Sequence, residues 1–481
     1  MSVRSARRQQ FEDHYFGSIP PRVLAFMKEM EFELHRLGIP VKTRHNEVAP
    51  MQFEMAPIFE DVNLAIDHNA LAMDIARKVA LRHHFVCVFH EKPYAGLNGS
   101  GKHCNWSLST DRGENLLEPG RTPHQNLRFL AFMAVCLKAV HDHAVPIRWS
   151  VANANQDLRL GANEAPPAIM SVFVGDLMTK VIEQIASGAA KSQDPEHFVL
   201  EMGVGKLPQL ARDNTDRNRT SPFAFTGNKF EYRAVGSSAN CAGPLTMVLA
   251  AVADALAQLT ARLKPRLDGG NRDQAVMDLL REVFAETTPV RFEGNGYAAE
   301  WREEAARRGL PNLPDTPTSH AAMTPEQTKF LVEQGILSER ELQSRLNVSL
   351  ERYVKTVLLE AETLAEMLST QVIPAGERQL ETSGCAASRI AGGTKKAGTA
   401  LDRRVQALGA ALDDVVAQAE TLRSIIAADD HEHDELALAQ RLADELRPAM
   451  DRARDAADRL EHQVGDDLWP IPKYRELLFV K

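Results

Sequence analysis

Several short β-type segments in the first 300 residues place polar or charged side chains on one face. They occupy residues 41–48, 51–59, 103–110 and 228–235, and a more apolar segment occupies residues 85–90. An antiparallel sheet can present a polar face to a ligand cleft, whereas a parallel sheet is buried on both faces. The pattern therefore predicts a mixed α and β fold in which an antiparallel sheet faces a cleft.

Helical periodicity separates these β-type segments. It predicts helices at residues 20–37, 61–84, 123–143 and 169–187. Prolines at the start of the first helix and Gly38 at its end are typical helix-boundary residues.

The composition shifts after about residue 325, where Glu, Leu, Ala, Arg and Gln recur at helical spacing. A Gly- and Lys-rich break at 392–398 precedes two helical stretches, at 399–427 and 432–464. Two such stretches joined by a short charged break predict a helical hairpin within the chain. A coiled-coil face for a partner is the alternative for their heptad-like apolar positions. We expect a first domain at residues 1–325 and a helical region at 326–481 packed on it.

Composition excludes several classes of protein. A net charge of −9 and a pI near 6.0 argue against a nucleic-acid or membrane-surface binder. Five cysteines, none in a C-x-x-C pair, exclude a disulfide scaffold and a thiolate zinc site. We find no signal peptide and no apolar run of the roughly 18 residues that a membrane span needs. These features predict a soluble cytoplasmic protein without a nucleic-acid or membrane partner.

Two glutamates in the run from Asn46 to Glu54 form a candidate cation site. Glu47 and Glu54 are seven positions apart, so an unbroken strand would place them on opposite faces. Pro50 cannot donate to a strand ladder and predicts a bend that returns both carboxylates to one side. With the nearby His45 they would suit Mg²⁺ or Mn²⁺. From spacing alone, a solvated strand face with ordinary surface glutamates is the commoner explanation.

A glycine-rich loop, Asn98-Gly-Ser-Gly-Lys-His103, separates two β-type segments. Its two glycines allow a tight turn and a close approach of the backbone to an anion. His103 begins the next strand and could offer a ring nitrogen to a metal. A simple hairpin loop remains the alternative.

Charged residues recur in three later segments. Arg159 and Glu164 lie on a Gly/Pro-bounded loop, Arg219 ends an Asp-Arg-Asn-Arg run, and Glu231 and Arg233 share a strand face. Arginine binds carboxylates and phosphates, and a mobile loop can close over a substrate. For Arg159 and Glu164 on the loop, the alternative is a surface ion pair that contributes little to stability. Together these residues suggest metal and phosphate chemistry, such as ATP-driven ligation.

Four runs in this order resemble type III glutamine synthetases: HNEVAPMQFEMAP, NGSGKHCNWSLST, RLGANEAPPAI and DRNRTSPFAFTGNKFEYRAVGSS. The resemblance covers essentially the whole chain. It implies an α+β fold with a curved antiparallel sheet ringed by helices and a C-terminal helical hairpin region. It also implies ligation of ammonia to L-glutamate through γ-glutamyl phosphate, with ATP as substrate and Mg²⁺ or Mn²⁺ as cofactor, in a cytoplasmic homo-oligomer.

The resemblance further implies a role for each matching residue. The implied metal ligands are Glu47, Glu54, His103 and Glu231, which we expect on one sheet face. The implied glutamate-binding residues are Asn98, Gly99, Arg159 and Arg233. The implied nucleotide contacts are Ser107, Arg219 and Lys229. The implied catalytic residues are Glu164, as the flap glutamate that guards the ammonium site, and Arg219, which stabilises the transferring phosphoryl group.

Members of this family begin with a long N-terminal region, which contains a β-grasp domain and a strand with a Glu-x-Glu pair. This chain aligns downstream of that region, and its own Glu29 and Glu31 lie on a predicted helix. We therefore expect weak activity of the chain alone and less defined oligomers. A longer gene product or a separate β-grasp partner chain would supply the region. A non-catalytic homologue that binds nucleotide or glutamate is the alternative.

Overall fold

The computed structural model describes residues 15, 17–49, 51–94, 96–161, 165–188, 220–268, 270–393, 400–428 and 434–473. The chain divides into two compact units. The first unit comprises Met1–Ile58, Lys78–Phe85 and Gln343–Lys481, and the second comprises Phe59–Arg77 and Val86–Leu342. The domain division at residue 325 stays a prediction.

The described part of the second unit contains both strands and helices, and helices dominate the C-terminal part of the chain. The strands are β1 (Val41–Asn46), β2 (Phe53–Pro57), β3 (Gly101–Trp106), β4 (Val172–Phe173), β5 (Phe223–Phe225) and β6 (Phe230–Gly236). The first helices are α1 (Pro21–Arg36), α2 (Val62–Arg82), α3 (Leu127–Asp142), α4 (Ala144–Trp149), α5 (Ala154–Arg159), α6 (Asp176–Ala186), α7 (Ala242–Leu267) and α8 (Arg272–Glu286). The later helices are α9 (Ala299–Arg307), α10 (Thr316–Ala321), α11 (Pro325–Glu333), α12 (Glu339–Met367), α13 (Ile373–Gly393), α14 (Ala400–Ala427), α15 (Glu435–Arg441) and α16 (Arg447–Glu461). The predicted α+β class is confirmed.

The first unit combines α1, the β1–β2 pair and the C-terminal helices. Helix α1 begins with a proline at its first position, and Gly38 follows its end with a φ of +78°. This is the predicted boundary chemistry, because proline needs no amide partner there and glycine tolerates a positive φ. The buried side chains of α1 recur at helical spacing: Val23, Met27, Met30 and Leu34.

The C-terminal helices form the predicted hairpin. Helix α14 packs against both α13 and α16, and small residues such as Ala419, Ala453 and Ala456 are almost fully buried at this core. Gly376 permits the close approach, since a Cβ there would lie 2.8 Å from Leu412 Cδ1. The packing of this region on the rest of the chain stays a prediction.

A four-stranded sheet in the order β3-β6-β5-β4 lies in the second unit. The β3–β6 and β6–β5 pairs are antiparallel as expected, whereas β4 and β5 are parallel. Strand β6 is buried along its whole length, and the Tyr232 ring stacks on Phe223 with centroids 4.3 Å apart. Buried aromatic pairs of this kind hold the centre of the sheet and leave its charged residues fixed in place.

Helix α7 is apolar enough to resemble a membrane span. It has 26 residues and a mean hydropathy of 1.5 in its most apolar window, half of which is buried. The sequence-based search did not anticipate this helix. Because α7 packs against α3 and α8, its burial is that of a core helix.

Two sequence-based expectations about secondary structure are wrong. Residues 85–90 form no strand in the described structure, and Val86 and Val88 are 84% and 68% exposed. A strand requires a hydrogen-bonding partner, and among the described residues this run pairs with none. The helix expected at 169–187 begins only at Asp176, because Val172–Phe173 pairs with β5 instead.

Candidate functional site

The β1–β2 turn brings together a cluster that we call the His45 cluster: His45, Glu47 and Glu54. The strand register places His45 directly opposite Glu54. His45 Nε2 lies 2.9 Å from Glu47 Oε1 and 3.4 Å from Glu54 Oε2. One ligand atom from each residue lies within 4.8 Å of the others. The expected return of both carboxylates to one side is therefore present.

A compact turn brings Glu47 and Glu54 to the same side of the strand pair. The Glu47 amide donates to the carbonyl oxygen of Gln52 at 2.9 Å, and Met51 has a φ of +56°. The left-handed conformation at Met51 reverses the chain within a few residues. Pro50, the residue on which the expected bend depended, lies outside the described residues. Two carboxylates and one imidazole are a suitable donor set for Mg²⁺ or Mn²⁺.

Glu29 and Glu31 both lie on α1, as expected, and they face different partners. Glu29 Oε2 lies 2.6 Å from His83 Nε2, whereas Glu31 pairs with Arg44. Residues two apart on a helix do not share a face. These two glutamates therefore do not form a paired site.

In the second unit, Glu231 on β6 connects a histidine and an arginine. Its Oε1 lies 3.0 Å from His103 Nδ1, and Arg233 Nη2 donates to its Oε2 at 2.9 Å. Glu231 is 4% exposed, and burial raises its pKa. The hydrogen bond from His103 and the charge of Arg233 outweigh burial and hold the pKa at about 2. The carboxylate is therefore ionised at neutral pH.

Local strand geometry explains why Glu231 and Arg233 lie together. Glu231 and Arg233 are two positions apart and share a face, as the sequence predicts. His103 reaches Glu231 from the neighbouring strand β3, where the register shifts between Lys102 and Cys104. Such an irregularity redirects a side chain relative to a regular ladder.

The four predicted metal ligands do not share one sheet face. Glu47 and Glu54 lie on the β1–β2 pair, whereas His103 and Glu231 lie on the four-stranded sheet. The expectation of one sheet face is therefore wrong. The reason is that β1 and β2 pair with each other, while β3 pairs with β6.

Arg159 lies beside this group at the end of α5. It is 3% exposed, and its Nη2 donates to the carbonyl oxygen of Arg233 at 3.1 Å. A Cβ on Gly101 would lie 2.5 Å from Arg159 Cζ, and one on Gly99 would lie 2.8 Å from the carbonyl oxygen of Glu91. In this structure the space beside the two glycines is thus occupied by protein atoms.

Ser107 and Lys229 lie at the same end of the β3–β6 pair, since Trp106 pairs with Phe230. Ser107 Oγ donates to Asn115 Oδ1 at 2.5 Å, and Asn115 Nδ2 donates to the carbonyl oxygen of Asn228 at 2.8 Å. Two of the three predicted nucleotide contacts therefore lie at one end of this strand pair. Asn98 is half-buried in the glycine-rich loop. Glu164 and Arg219 lie outside the described residues.

Comparison with known proteins identifies the family. A glutamine synthetase from Bacteroides fragilis is 44% identical over 490 residues, covering 100% of this chain and 67% of the relative. The chain belongs to the glutamine synthetase family. The type-3 enzyme of Dictyostelium discoideum is 41% identical over 100% of this chain and 66% of its own length. A Butyrivibrio fibrisolvens glutamine synthetase is 40% identical over 99% of this chain and 68% of its own length.

Two family descriptions support the same assignment. "Glutamine synthetase, catalytic domain" matches residues 2–158, and "Glutamine synthetase C-terminal domain" matches residues 275–383. A solved Plasmodium falciparum glutamine synthetase aligns with a TM-score of 0.46 and 14% identity over 70% of this chain and 60% of that one. The assignment rests on the sequence relatives, of whose length the chain spans about two thirds.

The predicted family, type and ligase class are thereby confirmed. The alternative of a non-catalytic homologue is not favoured, because proteins named as glutamine synthetases match the chain along its full length. The roles of individual residues stay predictions.

Sequence reasoning did not single out two charged residues of this glutamine synthetase homologue, the buried Glu91 and the half-buried Lys102. Glu91 is completely buried, and Ser238 donates to its Oε1 from the backbone amide at 3.0 Å and from Oγ at 2.6 Å. Lys102 Nζ donates to the carbonyl oxygen of Ser237 at 2.6 Å, and burial lowers its pKa. Lys102 thus connects the glycine-rich loop to the residues after β6. Glu91 contacts both segments, because its backbone carbonyl oxygen also accepts a hydrogen bond from the Ser100 amide at 2.8 Å. A glutamate directly after the apolar run at 85–90 was the available signal.

Proposed function

We propose that this chain ligates ammonia to L-glutamate at the expense of ATP, through γ-glutamyl phosphate. Glu231 carries the proposal at residue level, because it is an ionised, buried carboxylate held between an imidazole and a guanidinium. Structural ion pairs of this kind are also common, so the family relationship is needed alongside the geometry. A cytoplasmic homo-oligomer is part of the proposal.

The proposed cation sites use the two groups of donors already described. His45, Glu47 and Glu54 would hold one Mg²⁺ or Mn²⁺, and His103 with Glu231 would contribute to a second. Divalent cations at such sites neutralise phosphate charge. Glutamine synthetases generally use ATP and divalent metal ions, in agreement with these donor types.

The proposed glutamate-binding residues are Asn98, Gly99, Arg159 and Arg233. In support, burial lowers the pKa of Lys92, and the positive charge of the nearby Arg159 lowers it further. Two neighbouring cations favour a bound carboxylate, because an anion relieves their repulsion. The Arg233 guanidinium contacts Glu231 and is 2% exposed, so it also positions that carboxylate.

For the phosphoryl transfer we propose Ser107 and Lys229 as nucleotide contacts and Arg219 as the group that stabilises developing charge. Glu164 would close the ammonium side of the site. These roles follow from the family motifs at these positions. The domain division at residue 325 and a separate partner chain remain part of the proposal.

The reaction itself is the first test. We expect the purified 481-residue chain, with Mg²⁺, ATP, glutamate and ammonia, to form glutamine and release phosphate above the level of a Glu231→Gln variant. Each of the three substrates should be required. ATP binding without ammonia-dependent glutamine formation would instead support a non-catalytic homologue. Amino-acid analysis and a phosphate assay provide the two readouts.

The His45 cluster can be tested with Mn²⁺ alone. A Glu47→Gln/Glu54→Gln double variant removes both of its carboxylates, and we expect at least about tenfold weaker Mn²⁺ binding by calorimetry. A Glu60→Gln variant is the matched control, because Glu60 forms a single pair with His68 at 2.7 Å. Equal Mn²⁺ affinity in the double variant and the wild type would exclude a cation at this cluster.

A further inference from the structure

Two free cysteines lie side by side in the second unit. Cys104 is on β3 and Cys241 immediately precedes α7, and their sulfurs are 3.9 Å apart although the residues are 137 positions apart. A disulfide has an S–S length of about 2.05 Å, so the sulfurs need to approach by about 2 Å. We propose that Cys104 and Cys241 form a reversible, peroxide-dependent intrachain disulfide.

The surroundings of the pair favour this chemistry. The Cys104 thiol donates a hydrogen bond to the Cys241 sulfur, and Cys241 can donate to Asn69 Oδ1 at 4.0 Å. The hydrogen bond from Cys104 lowers the pKa of the Cys241 thiol, and the positive charge of Lys102 lowers it further. Burial raises this pKa but does not cancel the two effects. A thiolate is the reactive form of cysteine, and a nearby cation stabilises it.

The reaction balances with hydrogen peroxide as the oxidant. The Cys241 thiolate attacks one peroxide oxygen, the O–O bond breaks, and hydroxide leaves to give a sulfenic acid. Cys104 then attacks that sulfur, the S–O bond breaks, and the second oxygen leaves as water. Two thiols and one peroxide thus yield one disulfide and two waters. A dithiol reductant reverses the step by thiol–disulfide exchange.

The other three cysteines have different surroundings. Cys136 is buried within α3, and burial strongly raises the pKa of its thiol. Burial also raises the pKa of Cys87, which is partly exposed. Cys385 is exposed on α13 and serves as an internal measure of peroxide access.

Peptide mapping of the full chain tests the proposal. After peroxide treatment, alkylation and trypsin digestion without reductant, we expect peptide 103–112 linked to peptide 234–262. The linked species should disappear after dithiothreitol, and in Cys104→Ser and Cys241→Ser variants. It should persist in Cys385→Ser, the matched control.

Two outcomes would overturn the proposal. One is that Cys104 and Cys241 remain fully alkylatable at a peroxide dose that oxidises Cys385. The other is that both are oxidised while mass spectrometry finds them linked only to other cysteines or converted to sulfinic acids. Because the linkage is read on the wild-type chain, a folding defect in a serine variant does not affect the result.

Discussion

Replacement of Glu231 by glutamine is expected to lower glutamine formation by roughly 100- to 1000-fold, the usual cost of losing one preorganised charge at a reacting centre. The amide would no longer offer an anion to His103 or to a cation. Mn²⁺ binding should fall with activity, and it should fall far more than in Arg233→Lys, which retains the positive charge. Steady-state kinetics and Mn²⁺ calorimetry on the same preparations measure both effects.

Glu282→Gln is the matched control for this experiment. Glu282 accepts hydrogen bonds from Arg262 and Arg266, which hold its pKa at about 2, but it lies exposed on α8. We expect no change in activity there. Removal of one partner from a buried ion pair costs about 3–5 kcal/mol, so Glu231→Gln could also unfold the chain. A melting curve of Glu231→Gln distinguishes the two effects, and a folded Glu231→Gln variant with normal activity would contradict the proposed role. Glu231→Asp retains the charge and is expected to keep more activity than Glu231→Gln.

Substitution of Gly101 by alanine is expected to displace Arg159 and to lower activity by about 100-fold, since small misplacements at a site have effects of this size. The new methyl group would occupy the position of the guanidinium, with Cζ only 2.5 Å away. If Arg159 binds glutamate, the KM for glutamate should rise more than the KM for ATP. Initial-rate kinetics with each substrate varied in turn provide the measurement.

Gly243→Ala provides the comparison for Gly101→Ala. A Cβ at Gly243 meets no heavy atom within 4 Å, so the same chemical change there should leave kinetics and thermal stability unaltered. A methyl group forced against the buried Arg159 side chain typically costs about 1–3 kcal/mol, so a melting curve must accompany the Gly101→Ala kinetics. Unchanged kinetics in folded Gly101→Ala would show that the position of Arg159 does not matter.

Much of the candidate site could be predicted because its residues interact within short stretches. The return of Glu47 and Glu54 to one side needs only a turn between two short strands. The shared face of Glu231 and Arg233 follows from the two-residue repeat of a strand. The end of α1 at Gly38 likewise depends on one residue and its allowed φ.

Other predictions failed or were missing because they depend on distant residues. The apolar run at 85–90 has strand composition, yet its pairing depends on whether another strand lies alongside it. The prediction that the four metal ligands share one sheet face is wrong because β1 and β2 form a separate two-stranded sheet. Glu91 was not singled out, because nothing near it in sequence shows that Ser238 will donate to it.

The sequence by itself determined the family, the α+β class, several of the helices and the short-range pairs of charged residues. Only the tertiary structure decided that His103 reaches Glu231, that Arg159 lies against Gly101, and that Cys104 and Cys241 lie 3.9 Å apart. The physical reason is that turns, caps and strand periodicity depend on a few neighbouring residues. Contacts between side chains far apart in sequence depend instead on how whole strands and helices pack.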